Sequence, residues 1–258
     1  MAPERYSITG NGPDLILIHG IGATRQVWDG VIGRLAPHFR CIAYDLPGHG
    51  VSEIPARPLS LDDLVADLAA LQEHLGIASV HLAGHSLGGM IGPAYALRYP
   101  ERVRSLGLIS TAAFRSDEDR AKVRAVIDGM RARSVAADLG VLTARWFTDA
   151  FALRHPEVIA QRRQQVLDTD PEVFLNVFDI YAGTEMAPWL NRVSAPALVL
   201  TGAEDGGCNP HLNRQIAAAL PDARLCIVPQ VKHAILLEAP ERVAEELLTF
   251  WRDRQMDG

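Results

Sequence analysis

The chain of 258 residues has little of what marks several classes of protein. Its three cysteines, Cys41, Cys208 and Cys226, are odd in number and widely spaced, so the sequence suggests neither a disulfide framework nor a zinc site. No apolar run approaches the length that spans a bilayer, and residues 1–6 lack the apolar core of a signal peptide. We therefore predict a protein without a metal, without a membrane partner and located in the cytoplasm.

Positive charge is also scarce. Lysine and arginine total 25 against 31 aspartate and glutamate residues, which gives a net charge of −6, and no long basic run is present. This balance argues against a nucleic-acid partner. The apolar fraction of 48% and the charged fraction of 22% are ordinary for a globular protein, and the length suits one domain or one domain plus an insertion.

Short apolar runs alternate with segments of helical periodicity. Residues 15–18 form a continuous apolar run, which is typical of a parallel strand buried on both faces. Further strands are predicted at residues 41–44, 80–83, 103–109, 197–201 and 224–228, with residues 6–9 as an edge strand. Helices are predicted at about residues 26–36, 61–75, 87–99, 210–220 and 241–251. This alternation predicts an α/β fold with a mostly parallel sheet and helices on both faces.

Between residues 115 and 188 the alternation is replaced by helices alone. Four successive stretches there carry apolar residues at helical spacing, and the region is too apolar to be disordered. We therefore predict that residues 1–114 and 189–258 form a core domain, and that residues 115–188 form a helical cap inserted into it.

A G-x-S-x-G signature lies at Gly84, Ser86 and Gly88, between a predicted strand and a predicted helix. A serine in so sharp a turn has a strained backbone and an outward-facing hydroxyl, and the flanking glycines allow the two elements to pass closely. The helix that follows directs its free N–H groups and its positive end at the site, which suits an oxyanion. The alternative is a glycine-rich turn with an incidental serine, but the strand and helix on either side favour a nucleophile.

A serine nucleophile needs a histidine base, and the base needs a carboxylate that orients it. Both partners are expected after the carboxyl ends of strands, where an open parallel sheet gathers its active site. Asp205 follows the predicted strand 197–201, and His233 follows the predicted strand 224–228. The order serine, acid, histidine is that of α/β-hydrolases. Glu204 remains an alternative to Asp205.

Backbone N–H groups are predicted to form an oxyanion hole. The run His19-Gly20-Ile21-Gly22 ends the first long strand and is placed to direct the N–H of Ile21 at a substrate oxygen, together with the N–H of Leu87. The alternative is a glycine turn that only reverses the chain. His19, like His49 and His85, adjoins a glycine turn, where structural roles are common.

Each candidate substrate-binding residue also has an ordinary structural alternative. Trp28, Trp146 and Trp189 are candidates for the lining of an acyl pocket, and core packing is an alternative of at least equal weight for each. Arg145 is a candidate to hold a substrate carboxylate by two hydrogen bonds, whereas a helix-surface arginine is the default.

Five pieces of the sequence, in this order, resemble the α/β-hydrolase superfamily. They are residues 19–22 (HGIG), 45–52 (DLPGHGVS), 84–89 (GHSLGG), 202–205 (GAED) and His233 with the following Glu238 and Pro240. The resemblance covers nearly the whole chain and favours Asp205 over Glu204. Serine at position 86, in place of aspartate, separates the chain from epoxide hydrolases and haloalkane dehalogenases.

Within the superfamily the chain is most similar to the 3-oxoadipate enol-lactonase group, through residues 145–148 (RWFT), the short insertion and the compact length. This resemblance implies opening of a small anionic enol-lactone during aromatic catabolism without a cofactor, with Ser86 as nucleophile, Asp205 as orienting acid and His233 as base. Residues 206–210 (GGCNP) depart from the usual sequence of that group at this loop. Another lactone, ester or amide therefore stays open as a substrate, as do C–C cleavage of a ring-fission product and a ligand-receptor role.

Overall fold

The computed structural model describes residues 3–255. Residues 1–2 and 256–258, which belong to the predicted core domain, lie outside the described residues. Seven strands form one sheet in this part of the chain: β1 (Tyr6–Thr9), β2 (Asp14–Ile18), β3 (Arg40–Tyr44), β4 (Val80–His85), β5 (Val103–Ile109), β6 (Ala197–Gly202) and β7 (Ala223–Val228). Their order is β1-β3-β2-β4-β5-β6-β7. Only β1, at the edge, runs antiparallel to its neighbour, so the predicted mostly parallel sheet is confirmed.

Helices connect the strands. They are α1 (Asp29–Leu35), α2 (Leu61–His74), α3 (Gly88–Arg98), α4 (Asp117–Arg133), α5 (Val135–Trp146), α6 (Asp149–Arg154), α7 (Pro156–Asp168), α8 (Pro171–Gly183), α9 (Pro210–Ala219), α10 (Ile235–Glu238) and α11 (Pro240–Gln255). The first helix begins at Asp29, later than predicted. Residues 25–28 form a 3₁₀ turn instead, because the N–H of Val27 bonds to the carbonyl of Thr24, three residues back.

The sheet is covered on both faces, as its apolar strands require. Leu15 and Leu17 of β2 pack into one core with α1 and α11, whereas Ile16 and Ile18 pack into the other with α2 and α3. Successive side chains of a strand point to opposite faces, so a continuous apolar run serves two cores at once. The carboxyl ends of the parallel strands are thereby fixed along one edge, where the loops that follow them meet.

Five helices, α4–α8, lie between β5 and β6, and we call them the helical segment (Asp117–Gly183). Their apolar faces form a core of their own, which includes Ile127, Leu139, Val166 and Phe174. The amino end of α4 is closed by a capping box in which Ser116 and Asp119 each accept a hydrogen bond from the other's backbone N–H. The division into a core domain and a cap stays a prediction.

Within residues 3–255, no helix combines the length and the apolar character that crossing a membrane requires.

Candidate active site

Ser86 lies in the sharp turn between β4 and α3. Its φ of +56° is in the left-handed region, which a residue with a side chain adopts only under strain. A Cβ on Gly84 would lie 2.0 Å from the carbonyl oxygen of Gly88, and a Cβ on Gly88 would lie 2.3 Å from the carbonyl oxygen of Ile18. The glycines of the signature are therefore required by close backbone contact, as the motif predicts.

The three residues of the predicted triad lie in one hydrogen-bonded line. His233 Nε2 is 3.2 Å from Ser86 Oγ, and His233 Nδ1 is 2.8 Å from Asp205 Oδ2. The other oxygen of Asp205 accepts hydrogen bonds from the N–H groups of Gly207 at 2.9 Å and Cys208 at 2.8 Å. The imidazole is thus placed between a hydroxyl that can lose a proton and a carboxylate whose orientation is fixed.

The structure distinguishes between the two acids of the loop after β6. Asp205 is only 2% exposed and faces the imidazole, whereas Glu204 is exposed. The position of Asp205 is set by its backbone N–H, which bonds to the carbonyl of Gly202 at 3.2 Å, and by the two N–H groups that its carboxylate accepts. Asp205 is therefore the carboxylate that the fold directs at His233.

The surroundings of the triad shift the pKa values of its members in opposite directions. Burial raises the pKa of Asp205, but the attraction of His233 and the hydrogen bonds to the carboxylate outweigh it and lower this pKa below its ordinary value. Burial lowers the pKa of His233, but the charge and hydrogen bond of Asp205 outweigh it and raise this pKa above 6.5. The pair therefore favours an ionised Asp205 that stabilises a protonated His233.

His85 lies beside His233 and stays neutral. Its ring centroid is 5.0 Å from that of His233, and its Nε2–H donates to the carbonyl oxygen of His233 at 2.9 Å. Burial lowers the pKa of His85 to about 3. His85 therefore supports the loop that carries His233 and adds no charge to the site at neutral pH.

The loop after β2 lies directly against Ser86. A Cβ placed on Gly20 would be 3.0 Å from the Cβ of Ser86, so only a glycine fits well between them. In the part of the chain that the structure describes, the N–H groups of Ile21 and Leu87 form no turn or loop hydrogen bond with a backbone carbonyl. Both are thus available to an oxyanion, and their use as an oxyanion hole remains a proposal.

Two buried histidines hold that loop in place. His19 Nε2 accepts a hydrogen bond from the N–H of Leu46 at 3.0 Å, and His49 Nε2 accepts one from the N–H of Gly22 at 3.2 Å. Burial lowers the pKa of each imidazole to about 3, so both are neutral acceptors at physiological pH. These contacts account for both residues by structural roles, which the sequence analysis favoured.

Arg162 of α7 is a functional candidate that sequence analysis missed. Its guanidinium donates to the carbonyl oxygen of Ile21 at 2.9 Å and to that of Gly22, and it stacks on the ring of Trp146 at 4.6 Å. The side chain is 8% exposed, and burial lowers its pKa to about 10, so it is still charged at pH 7. The helical segment is thereby tied to the loop that carries the Ile21 N–H.

A signal for Arg162 was present in the sequence. It lies three residues after Ile159 and four before Val166, on the apolar side of its helix. An arginine at such a position has to find an internal partner, because a buried charge without one is costly. The sequence does not say which partner that is.

A cavity of about 530 Å³ opens at Ser86 and is lined by His233 and, among the other predicted residues, by Ile21, Arg145 and Trp146. Arg145 is exposed at this position. The prediction that Trp28 lines the pocket is wrong: the side chain is 0% exposed and packs into the core between the sheet and α1. Trp189 also lies outside the cavity lining and packs against the opposite core.

Asp205, Cys208 and His233 are the one cluster in residues 3–255 whose side chains are close enough to bind a metal ion, with their ligand atoms within 4.8 Å of one another. The carboxylate and the imidazole already bond to each other, however, and Cys208 Sγ lies 3.2 Å from the hydroxyl of Tyr181. The absence of a metal and a cofactor stays a prediction.

Comparison with known proteins agrees with this architecture. A family model described as the alpha/beta hydrolase fold matches residues 13–240. A 3-oxoadipate enol-lactonase of Acinetobacter baylyi is 30% identical over 193 residues, which are 75% of this chain and 72% of the relative. A pimeloyl-[acyl-carrier protein] methyl ester esterase of Nitrosomonas europaea is 32% identical over 251 residues, which are 94% of this chain and 97% of the relative.

Solved structures give the same result. The enol-lactonase of Burkholderia xenovorans LB400 superposes with a TM-score of 0.88 at 28% identity, over 96% of this chain and 95% of the other. The sheet, the sequence motifs and these relatives agree, and the relatives are named for more than one substrate. The chain therefore belongs to the α/β-hydrolase family, within the group that includes the 3-oxoadipate enol-lactonases.

Proposed function

We propose that the protein is a serine hydrolase that cleaves a small carboxylic ester or lactone. The observation that supports this most directly is the hydrogen-bonded line from Ser86 through His233 to Asp205 at the wall of a cavity. The cavity of about 530 Å³ lies within the range of small-molecule sites, roughly 300 to 1,000 Å³. The triad needs no cofactor for this reaction.

In the proposed reaction, Ser86 Oγ attacks the carbonyl carbon of the substrate while its proton passes to His233 Nε2. The N–H groups of Ile21 and Leu87 donate to the oxyanion of the tetrahedral intermediate, and Asp205 stabilises the imidazolium. His233 then gives its proton to the leaving alkoxide, which leaves an acyl-enzyme. Water, deprotonated by His233, attacks the acyl group; the carboxylic acid is released, and Ser86 recovers its proton from His233.

The related enol-lactonases and the related methyl ester esterase support an ester or lactone carbonyl as the scissile group. We take 3-oxoadipate enol-lactone as the first substrate to test, since both a curated relative and a solved structure bear the enol-lactonase name. Because these relatives differ in substrate, the test also needs a simple ester that any enzyme with this triad would accept.

The decisive experiment follows the ultraviolet absorbance of 3-oxoadipate enol-lactone and, separately, the hydrolysis of 4-nitrophenyl acetate. It compares the wild type with Ser86→Ala and with Ser7→Ala, which changes an exposed serine on the edge strand. We expect Ser86→Ala to lower kcat by about 10³-fold or more and Ser7→Ala to match the wild type.

The two substrates separate the broad proposal from the narrow one. Hydrolysis of the aryl ester without hydrolysis of the enol-lactone would keep the serine hydrolase and reject the named substrate. If Ser86→Ala retained near-normal turnover, or if the wild type hydrolysed neither substrate, the proposal would be wrong.

A further inference from the structure

Buried side chains connect the turn that carries Ser86 to the loop that carries Asp205. In the sheet, β5 lies between β4, which precedes Ser86, and β6, which precedes Asp205. Backbone hydrogen bonds join β5 to β6 as far as Ser110, whose N–H donates to the carbonyl oxygen of Leu200 at 2.7 Å. The next residue, Thr111, continues the connection through its side chain.

Thr111 holds the turn of Ser86 from the β5 side. The residue is 0% exposed, and its hydroxyl donates to the carbonyl oxygen of Ser86 at 2.9 Å. A Cβ on Gly89 would lie 2.7 Å from the Cβ of Thr111, so this side chain also packs closely against the start of α3. The position of Thr111 therefore affects the position of Ser86.

Cys208 holds the carboxylate of Asp205 through its backbone. Its N–H donates to Asp205 Oδ1 at 2.8 Å. Its carbonyl oxygen accepts from the hydroxyl of Thr201 at 2.7 Å and from the side-chain amide of Asn213 at 2.8 Å. Both donors are 0% exposed, so these hydrogen bonds are shielded from water. The orientation of Asp205 thus depends on how the backbone of Cys208 is held.

One buried amide joins the two sides. Asn213, in α9, is 0% exposed, and its Nδ2 donates to the carbonyl oxygens of Thr111 at 3.1 Å, Cys208 at 2.8 Å and Asn209 at 3.1 Å. The reverse orientation of the amide would place its oxygen against three acceptors. The donors of Asn213 are therefore directed at the segment after β5 and at the loop after β6.

The need to satisfy backbone carbonyls does not by itself account for Asn213. The carbonyl of Cys208 also accepts from Thr201, and the carbonyl of Asn209 also accepts from the backbone N–H of Asn213. Within residues 3–255, Asn213 Oδ1 is buried without a hydrogen-bond partner, which is costly. The specific contribution of this amide is the bridge between the carbonyls of Thr111 and Cys208.

We propose that Asn213 is a positioning residue, which sets the distance between the Ser86 turn and the Asp205 loop. This inference rests on the proposed function. His233 lies between the two, with 3.2 Å from its Nε2 to Ser86 Oγ and 2.8 Å from its Nδ1 to Asp205 Oδ2. If the two ends separate, the imidazole loses one of these hydrogen bonds, and proton transfer from Ser86 slows. Asn213 lies outside the cavity lining, so it acts through the backbone and not by contact with a substrate.

The first test replaces the amide with an apolar group of similar size. Hydrolysis of 4-nitrophenyl acetate is compared in the wild type, Asn213→Leu and Gln72→Met. Gln72 is the matched control, because it is also 0% exposed and its amide donates to the carbonyl oxygens of Ile77 and Ala78, outside the cavity lining. We expect Asn213→Leu to lower kcat by about 10-fold or more with KM changed less than about threefold, and Gln72→Met to keep kcat within about twofold.

The second test follows the connection through Thr111. Thr111→Val removes the hydroxyl that donates to Ser86 but keeps the shape of the side chain, whereas Thr111→Ser keeps the hydroxyl. We expect Thr111→Val to lower kcat by about threefold or more and Thr111→Ser to stay within about twofold of the wild type. Because Asn213 acts partly through Thr111, the double variant Asn213→Leu with Thr111→Val should lose less than the product of the two single losses.

The third test does not depend on turnover. The proton shared by His233 and Asp205 is followed as a downfield resonance in the ¹H NMR spectrum, which is assigned by its loss in Asp205→Asn. We expect this resonance to shift or broaden in Asn213→Leu and to stay unchanged in Gln72→Met.

The outcomes separate this inference from the proposed function. A wild type that hydrolyses no ester, together with a resonance that moves in Asn213→Leu, would overturn the hydrolase and support the positioning role. Wild-type kcat and an unmoved resonance in Asn213→Leu would overturn that role, as would an equal loss of kcat in Gln72→Met or a double variant whose loss equals the product. If Asn213→Leu does not fold, the smaller substitution Asn213→Ala takes its place in all three tests, and wild-type values there would contradict the inference.

Discussion

Arg162 donates a hydrogen bond to the carbonyl oxygen of Ile21 at 2.9 Å, although the two residues are 141 positions apart in the chain. A second hydrogen bond joins the same guanidinium to the neighbouring carbonyl of Gly22. The loop that carries Ile21, a proposed oxyanion-hole residue, is therefore held both by hydrogen bonds to the buried His19 and His49 and by a helix of the helical segment. The helical segment is thus hydrogen-bonded directly to the loop beside Ser86.

We expect Arg162→Met to lower kcat by about 10-fold or more with a smaller change in KM, because the loop loses both hydrogen bonds that fix the Ile21 backbone. The matched control is Arg163→Met, an exposed arginine on the same helix. Steady-state kinetics on one neutral ester provide the measurement.

Inhibitor binding distinguishes a role of Arg162 in positioning the Ile21 loop from a purely structural role. If Arg162 positions the loop, Arg162→Met weakens the binding of an aryl trifluoromethyl ketone, which forms an oxyanion on Ser86, more than it weakens the binding of a product acid. Equal weakening of both ligands, or turnover within threefold of the wild type, would contradict the role as a positioning residue.

The pH dependence of kcat/KM should show one acid limb, due to His233. The imidazole must be neutral to take the proton of Ser86, and Asp205 raises its pKa, so activity falls as pH decreases with a midpoint above 6.5. His85, with a pKa of about 3, adds no second limb in this range. A rate that stays flat down to pH 5 would contradict His233 as the base.

Removal of the Asp205 carboxylate is expected to shift the pH dependence that His233 causes. In Asp205→Asn the attraction that raises the pKa of His233 is lost while the burial that lowers it remains, so the limb should move to lower pH. We also expect kcat to fall by about 10³- to 10⁴-fold, because the imidazole loses its orientation. Glu204→Gln is the control, and a similar loss in that variant would show that the wrong acid is assigned.

The turn at Ser86 has no room for a side chain at Gly88, the second glycine of the signature. A Cβ in Gly88→Ala would lie 2.3 Å from the carbonyl oxygen of Ile18, and we expect a loss of about 3 kcal/mol in the free energy of unfolding. In Gly92→Ala, on the same helix, the added Cβ would lie 3.5 Å from Leu106 Cδ2, which is an ordinary contact. We expect this substitution to leave the free energy of unfolding unchanged or to raise it by up to about 1 kcal/mol. Urea unfolding measures both, and equal stabilities would contradict the close approach.

Glu238 connects the histidine loop to the helical segment. One carboxylate oxygen accepts from the N–H of Thr148 at 2.6 Å and from its hydroxyl at 2.9 Å, and the other accepts from the N–H of Lys232 at 2.8 Å. Glu238→Gln turns an NH₂ group towards one of these donors, so we expect Tm to fall by about 2–6 °C. Glu241→Gln, on the exposed side of α11, should leave Tm within about 1 °C, and the same Tm for both variants would contradict this role.

Local sequence determined most of the fold and the three residues of the hydrogen-bonded line. Strands β2, β3 and β6 each contain a short apolar run, and such a run is typical of a parallel strand that helices cover on both faces, so the pattern alone indicates a covered parallel sheet. Ser86, Asp205 and His233 follow strand ends, and the ends of parallel strands meet at one edge. Their proximity was therefore predictable without coordinates.

Tertiary structure decided the roles of side chains whose partners are distant in the chain. Trp28 was a candidate for the pocket lining and lies instead in the core between the sheet and α1, and Arg162, whose helix position indicates burial without indicating a partner, bonds to a carbonyl group 141 positions away. Whether a side chain is buried, and which donors remain unused, depends on the packing of several segments at once. The sequence thus determines where the reaction is expected, and only the packed helical segment shows which charges surround it.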